Sequence, residues 1–526
     1  MQTRPLTGSE IIKEIQKLVP PGAPEPQVPE LVNKLQQLTQ ALIEDYQNSG
    51  RLQGDPFNEA WTRPLHLYEA EIQQQVQGKT VLVTGGEGCV GKELINKLVK
   101  LDAHRIISVD NARCDDLGNP EPIQGQAPNV ILYAADVRDY GTLNQIFATE
   151  KPNFVFHLAA IRIPGLAEKI ILTTVTSNIF GTQNVIRLCE EHGVDQCIFS
   201  STGKASRYWT GEVYAASKKV CEWLFAHAAE TGKVRYGMVR FTHMLNNSSM
   251  IEQIAGKVQQ GSPINIHAPE RYVAGQNVGE AVHLLLNSLI FSEPERLIFV
   301  LVRNLGWPTE SLEVALHQIL ESGKNLPIYF QGIPIGYEES FFLGQVDWTK
   351  QTEINTLINA LETWNFATIS SSGDMIVSTG IPFSVSVLMD ELLRLKALCE
   401  DATIPQTEIK KKLGQVVWEV AKSSLRLTSP EKLVQILRWG VNLKQYQRGQ
   451  FNLLPYQPFI ELVVQGLAHR VNLKVLENCP MDVQEFQDIL SALTLFPSLH
   501  QEIAQMQQSI GAIEVQELRA ETSKAA

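Results

Sequence analysis

The stretch KTVLVTGGEGCVGK, from Lys79 to Lys92, constrains the fold of this chain more than any other. A short apolar run (Val81, Leu82, Val83) ends in Thr84-Gly85, and Gly88 and Gly91 follow at three-residue steps. Leu94, Ile95, Leu98 and Val99 then fall at helical spacing. A strand that turns sharply through glycines into a helix aims backbone N–H groups and the helix's positive end at a diphosphate. Gly85 permits the tight turn, Gly88 lets a dinucleotide approach the backbone, and Gly91 lets the helix pack close to the sheet.

The features that such a turn requires follow in order. A second strand, Arg105 to Val109, ends in Asp110, which can accept hydrogen bonds from ribose hydroxyls and so favours NAD. Arg113 lies close enough to hold a 2′-phosphate instead, which keeps NADP open. A third strand (Val130 to Tyr133) leads to Asp136 and Val137, placed to flank the adenine. A fourth (Phe154 to Phe156) runs into His157-Leu158-Ala159-Ala160, where Ala159 and Ala160 let the backbone approach the dinucleotide. His157 reads as a packed strand-end histidine. Strands alternating with helices in this way predict an α/β fold, a doubly wound parallel Rossmann sheet.

A fifth strand, Cys197 to Ser200, opens onto Ser201-Thr202-Gly203-Lys204, and Tyr214-Ala215-Ala216-Ser217-Lys218 follows ten residues later. Tyr214 and Lys218 are four apart and share one helix face. A neighbouring ammonium favours the phenolate, so Lys218 is expected to lower the Tyr214 pKa from its usual value of about 10. The pair could then move a proton to or from a substrate hydroxyl, with Thr202 hydrogen-bonded to that same hydroxyl. The competing reading is an exposed helical Tyr/Lys pair without chemistry.

With these residues in view, positions 78 to 345 resemble an extended short-chain dehydrogenase/reductase, and within it the polysaccharide-biosynthesis branch of nucleotide-sugar 4,6-dehydratases and epimerases. His157 to Arg162, with Pro164 and Glu168, is similar to that branch's HxAAxKxVPxxE segment, and Asn178 to Val185 to its NxxGTxNV helix. Ser201-Thr202-Gly203-Lys204-Ala205 stands where the branch has STDKA. Arg240-Phe241 and Pro263 to Arg271 match later substrate-side segments loosely, and Gly332 to Glu339 is a faint version of a closing GxRPGEK motif. The resemblance implies a smaller substrate lobe at about 240–345, NAD or NADP as cofactor with Asn178 in its site, and a nucleotide-diphosphate sugar as substrate. It also implies Lys204 as a base at sugar C5. Arg162, Arg240 and Arg271 are the guanidinium candidates for the substrate diphosphate.

Departures from the branch are equally informative. Gly203 replaces the acid of STDKA, the interval from Lys204 to Tyr214 is two residues longer, and the closing motif lacks its arginine and lysine. General-acid help is worth about 10²–10⁴ in rate. Its loss would cripple elimination and leave oxidation at C4 untouched. The function expected is therefore NAD(P)-dependent epimerase/dehydratase chemistry by transient hydride transfer, in polysaccharide or glycoconjugate precursor synthesis. Two rivals are a non-catalytic NAD(P)-binding scaffold and a reductase of a non-sugar carbonyl.

The 526 residues are 44% apolar and 19% charged with net charge −12, which argues against nucleic-acid binding. No uninterrupted apolar stretch is long enough to span a membrane, and the start MQTRPLTGSE lacks a signal core. Seven cysteines without CxxC pairing read as free thiols in a cytoplasmic protein, and no metal-ligand spacing occurs. Residues 1–75 predict a helical N-terminal extension, with one stripe from Ile11, Ile12, Ile15, Leu18 and Val19, and a second from Leu31, Leu35, Leu38 and Leu42. A proline-rich linker (Pro20 to Pro29) separates them. Residues 76–350 form the dinucleotide-binding unit and 351–526 a helical C-terminal domain. There Ser429-Pro430 starts a helix that stops at Gly440. Either extension could pack on its own core, join two copies of the chain or bind a protein partner.

Overall fold

In the computed structural model the described residues are 6–111, 123–124, 127–350 and 354–510. Seven parallel strands form the centre: β1 (Thr80–Thr84), β2 (Arg105–Asp110), β4 (Val130–Ala134), β5 (Phe154–His157), β6 (Gln196–Thr202), β7 (Arg235–Phe241) and β8 (Ile298–Val302). Short antiparallel strands close both edges, β3 (Ile123–Gln124) beside β4, and β9 (Thr368–Ile369) with β10 (Met375–Thr379) beside β8. The order is β9-β10-β8-β7-β6-β5-β1-β2-β4-β3. Chain direction across the sheet reverses at β1 and β5, so a crevice opens beyond their carboxyl ends. The near-continuous apolar runs of the strands suit a sheet covered on both faces.

The two N-terminal stripes lie against the lobe built from residues 245–330. Ile11, Ile15, Leu35 and Leu42 share one core with Ile254, Leu312, Leu316 and Phe330. The proline-rich linker is pinned there too, with Gly22 N–H donating to the Gln331 carbonyl at 2.8 Å.

The C-terminal helices join the other core. Helices Val385–Glu400 and Gln406–Leu427 pack with the Val213–Thr231 helix of the sheet layer. The expected all-helical character after residue 350 is incomplete, because β9 and β10 extend the central sheet there, with Ser370 to Gly373 as their turn. The Pro430–Val441 helix does not stop at Gly440. It runs one residue further and ends on Asn442 in the left-handed region. Gly440 instead leaves room for the Phe342 ring, which a Cβ would overlap.

Candidate active site

Gly85 takes φ +72°, and a Cβ there would lie 2.7 Å from the Ala159 amide nitrogen. Both facts exclude other residues at this turn. Gly91 sits equally tight against the Gly85 carbonyl, while a Cβ on Gly88 would meet only that oxygen, at 3.3 Å. Gly88 is the N-cap of the Cys89–Lys100 helix, and no side chain caps its first turn. The amides of that turn thus face the crevice as a cradle for a diphosphate. Asp110, at the end of β2, accepts the Glu87 N–H at 3.1 Å. These residues fit a dinucleotide. Arg113 lies outside the described residues.

Around the cradle the remaining sequence candidates divide. Ala159 N–H donates to Thr84 Oγ1 at 3.3 Å and Ala160 follows on the same loop. Asp136 is already engaged: burial raises its carboxyl, but the Arg138 guanidinium, at 2.7 and 3.0 Å, holds it below the usual range. Val137 packs on Gly181. Asn178 sits on a π turn (Thr176–Phe180) and is spent on the protein. Its amide bonds both backbone groups of Ile161, at 2.8 and 3.2 Å, and Ser217 Oγ at 2.9 Å. It therefore ties the loop after β5 to the Tyr214 helix. His157 is buried between Thr84 Oγ1 (2.7 Å) and Thr182 Oγ1 (2.9 Å), a packed histidine that burial brings down to about 3.

Tyr214 opens the Val213–Thr231 helix, whose first amide, Val213 N–H, is accepted by Glu168 at 2.8 Å. Burial pushes the Tyr214 phenol up to about 12, against the Thr202 hydroxyl and the Arg162 guanidinium, which lower it. This corrects the expectation that Lys218 acidifies it. The Lys218 ammonium lies 4.2 Å over the Phe199 ring, and burial brings it down to about 8. Arg162 is exposed, and its charge acts on both Cys89, in the first turn of the cradle helix, and Tyr214. Its charge thus reaches both the cradle helix and the phenol.

Lys204 lies on the turn Gly203–Ser206 and donates to Glu212 Oε2 at 2.5 Å and to the Gly336 carbonyl at 3.1 Å. Burial lowers its ammonium while Glu212 opposes. Tyr337 was not singled out from the sequence, where only the faint closing motif marks its neighbourhood. Its ring lies 5.0 Å from Lys204 Nζ and 5.8 Å from the His267 ring. Burial lowers the His267 imidazole, and the nearby Arg271 guanidinium lowers it further. The network is completed by Glu339, which accepts from Gly211 N–H at 2.6 Å and pairs with Arg207.

Arg240 does not face the crevice. It is 1% exposed, and all its guanidinium donors are used on Glu222, Glu362 and the Leu357 carbonyl at 2.6–2.9 Å. A substrate diphosphate has no access to it, so its assignment as a substrate anchor is corrected. Gly203 points the same way. A Cβ at position 203 would collide with Leu357 Cδ2, so this position faces the core. Among the described residues no three acidic, histidine or cysteine side chains could hold a metal ion, and no helix is long and apolar enough to cross a membrane.

The chain is similar to known proteins over part of its length. The capsular polysaccharide biosynthesis protein CapD of Staphylococcus aureus is 27% identical over 323 residues, 57% of this chain and 53% of that protein. UDP-N-acetylglucosamine 4,6-dehydratase (inverting) of Campylobacter jejuni is 32% identical over 178 residues, 33% of this chain and 51% of that enzyme. The solved structure of Pen from Bacillus thuringiensis superposes with a TM-score of 0.47 and 18% identity, over 58% of this chain and 87% of that one. The chain spans about half the length of the curated relatives it matches first. The profile described as polysaccharide biosynthesis protein matches residues 81–354, more than half of the sequence, and the chain belongs to that family.

Proposed function

We propose that the chain is an NAD-dependent enzyme that oxidises and re-reduces a hydroxyl-bearing carbon of a UDP-sugar, an epimerase of cytoplasmic polysaccharide precursors. One observation supports this reading: Tyr214 is hydrogen-bonded to Thr202 at the end of β6, and the Arg162 charge reaches both that phenol and the helix opened by the uncapped glycine turn. NAD, when bound, would supply reversible hydride exchange. Asp110 favours NAD over NADP.

The protein's own groups would then do the following. Backbone amides of the cradle hold the cofactor diphosphate, and Arg162 offers a guanidinium to the sugar nucleotide. Thr202 and Tyr214 hold one sugar hydroxyl, and the phenol takes and returns its proton. Lys204 and Tyr337 line the sugar's far side. Elimination is disfavoured because the position of the branch's acid, Gly203, is directed at Leu357.

The test is incubation of purified chain with NAD and either UDP-N-acetylglucosamine or UDP-glucose, with products resolved by NMR. A 4-epimer is expected, without a 6-deoxy-4-keto product. Tyr214→Phe should cut turnover by about 10²–10⁴ and leave NAD affinity within about twofold. Correctly folded protein that binds NAD yet yields no altered sugar would refute the reading.

A further inference from the structure

A cavity of about 320 Å³ lies behind the Tyr214 helix, between it and the helices that follow residue 360. It is separate from the dinucleotide crevice. Its walls are mixed: Trp223, Phe383 and Leu425 form an apolar side, and Lys219, Arg296 and several carboxylates stand around them. Such a volume and lining are those of small-molecule sites.

Lys219 lines this cavity and takes no part in the mechanism above. It is 7% exposed, and its ammonium makes one hydrogen bond, to the Ala205 carbonyl at 3.1 Å. It also lies 5.1 Å from the Trp223 ring. Among the described residues no carboxylate stands within ion-pairing distance of it. The nearest acidic groups, Glu222 and Glu362, are both forked onto Arg240. An ammonium has three donors, so among the described residues two of them have no acceptor within hydrogen-bond distance. A buried charge left so is costly unless something outside completes its bonding.

The rim narrows the choice of ligand. Glu230, Glu295 and Arg296 border the cavity, so the net negative rim disfavours a multiply charged anion more than a singly charged one. We infer that the cavity is a binding site for a small aromatic monocarboxylate. Its carboxylate accepts two N–H bonds from Lys219, and its ring packs against Trp223 and Phe383. The same ammonium bonds the Gly203–Ser206 turn, which carries Lys204, so the site lies one hydrogen bond from that turn.

Calorimetric titration of the full chain with indole-3-carboxylate, benzoate, benzamide, benzylamine and inorganic phosphate tests it. Saturable one-to-one binding is expected for the two carboxylates, about tenfold or more tighter than for benzamide. Lys219→Met should weaken it by a similar factor, and Ala421→Leu, which fills the cavity, should abolish it. Wild-type protein gives an independent reading. Saturating indole-3-carboxylate should slow acetic anhydride labelling of Lys219, followed by mass spectrometry, and leave exposed lysines unchanged. Absence of saturable carboxylate binding, equal or tighter binding of benzamide, benzylamine or phosphate, unchanged affinity in folded Lys219→Met, or unprotected Lys219 would each overturn the proposal.

Discussion

Tyr214 must release its proton from surroundings that hold it at about 12, chiefly through burial, and Arg162 is the charged side chain that opposes this. Below its pKa the phenolate fraction rises tenfold per pH unit, so kcat/KM should climb with pH across the neutral and alkaline range. Arg162→Gln removes a lowering charge, so the rising limb should move to higher pH, together with weaker substrate binding. A profile that stays in place while only KM rises would restrict Arg162 to anchoring. His157 makes a prediction of the opposite kind, about stability. Its folded pKa of about 3 lies below the unfolded value of about 6.5, so the unfolded chain binds more protons between them. Stability therefore falls as pH drops through that window, by up to about 1.4 kcal/mol per pH unit for this one group. Urea midpoints at pH 7 and pH 5 should diverge more in wild type than in His157→Asn. Arg240 is tested by the same measurement. Arg240→Met leaves Glu222 and Glu362 buried without their partner, and should cost about 3–5 kcal/mol.

Among the elements, those decided locally were legible in the sequence and those decided by distant partners were not. The glycine turn is local: strand, three glycines and an apolar helical stripe occupy twenty consecutive residues, and the structure builds the cradle from them. β10 is five residues long and earns its place through pairing with β8, Val302 opposite Met375 through Ile298 opposite Thr379. A window of sequence carries little of that signal. Arg240 reads as a free guanidinium until Glu362, far along the chain, closes on it. Tyr337 is hidden for a similar reason, since the loop that carries it reaches the site through contacts with residues far off in sequence, Gly165, Lys204 and His267. The turn Gly203–Ser206 shows both cases together. The missing acid is visible in the sequence; what is not visible there is that a side chain at this position would meet the Leu357 side chain, which would have to shift. Gly203→Asp should therefore not restore elimination. Its carboxylate would be forced into packed core, at about 1–3 kcal/mol of overpacking and more for the buried charge. A lowered thermal midpoint with no 6-deoxy product is the expected result, and a stable variant that forms one would contradict this account of the turn.

At the scale of the whole molecule, the longer interval between Lys204 and Tyr214 explains how the helical extension and the sheet layer became one body. Trp209, inside that interval, packs edge-on against Trp418 and Phe459, at 6.3 and 6.2 Å between ring centroids, and donates to the Gly414 carbonyl at 3.4 Å. Lys410 bonds Glu168 at 2.7 Å, and Glu168 in turn accepts the first amide of the Tyr214 helix. The Val213–Thr231 helix has buried residues around its whole circumference, from Ala215 and Ala216 through Val220, Trp223 and Leu224. A helix buried all round requires cover on every side, and Gln406–Leu427 supplies part of it. Ending the chain at residue 384 would expose that face together with Trp209. Such a truncation should lose the cooperative thermal transition and NAD binding in one step. Trp209→Ala should weaken the seam within the intact chain, by about 3–5 kcal/mol, and lower kcat by tilting the start of the Tyr214 helix. Calorimetry on the three proteins decides the matter: a truncated chain that keeps a sharp transition and binds NAD normally would mean that the sheet layer stands without its helical cover.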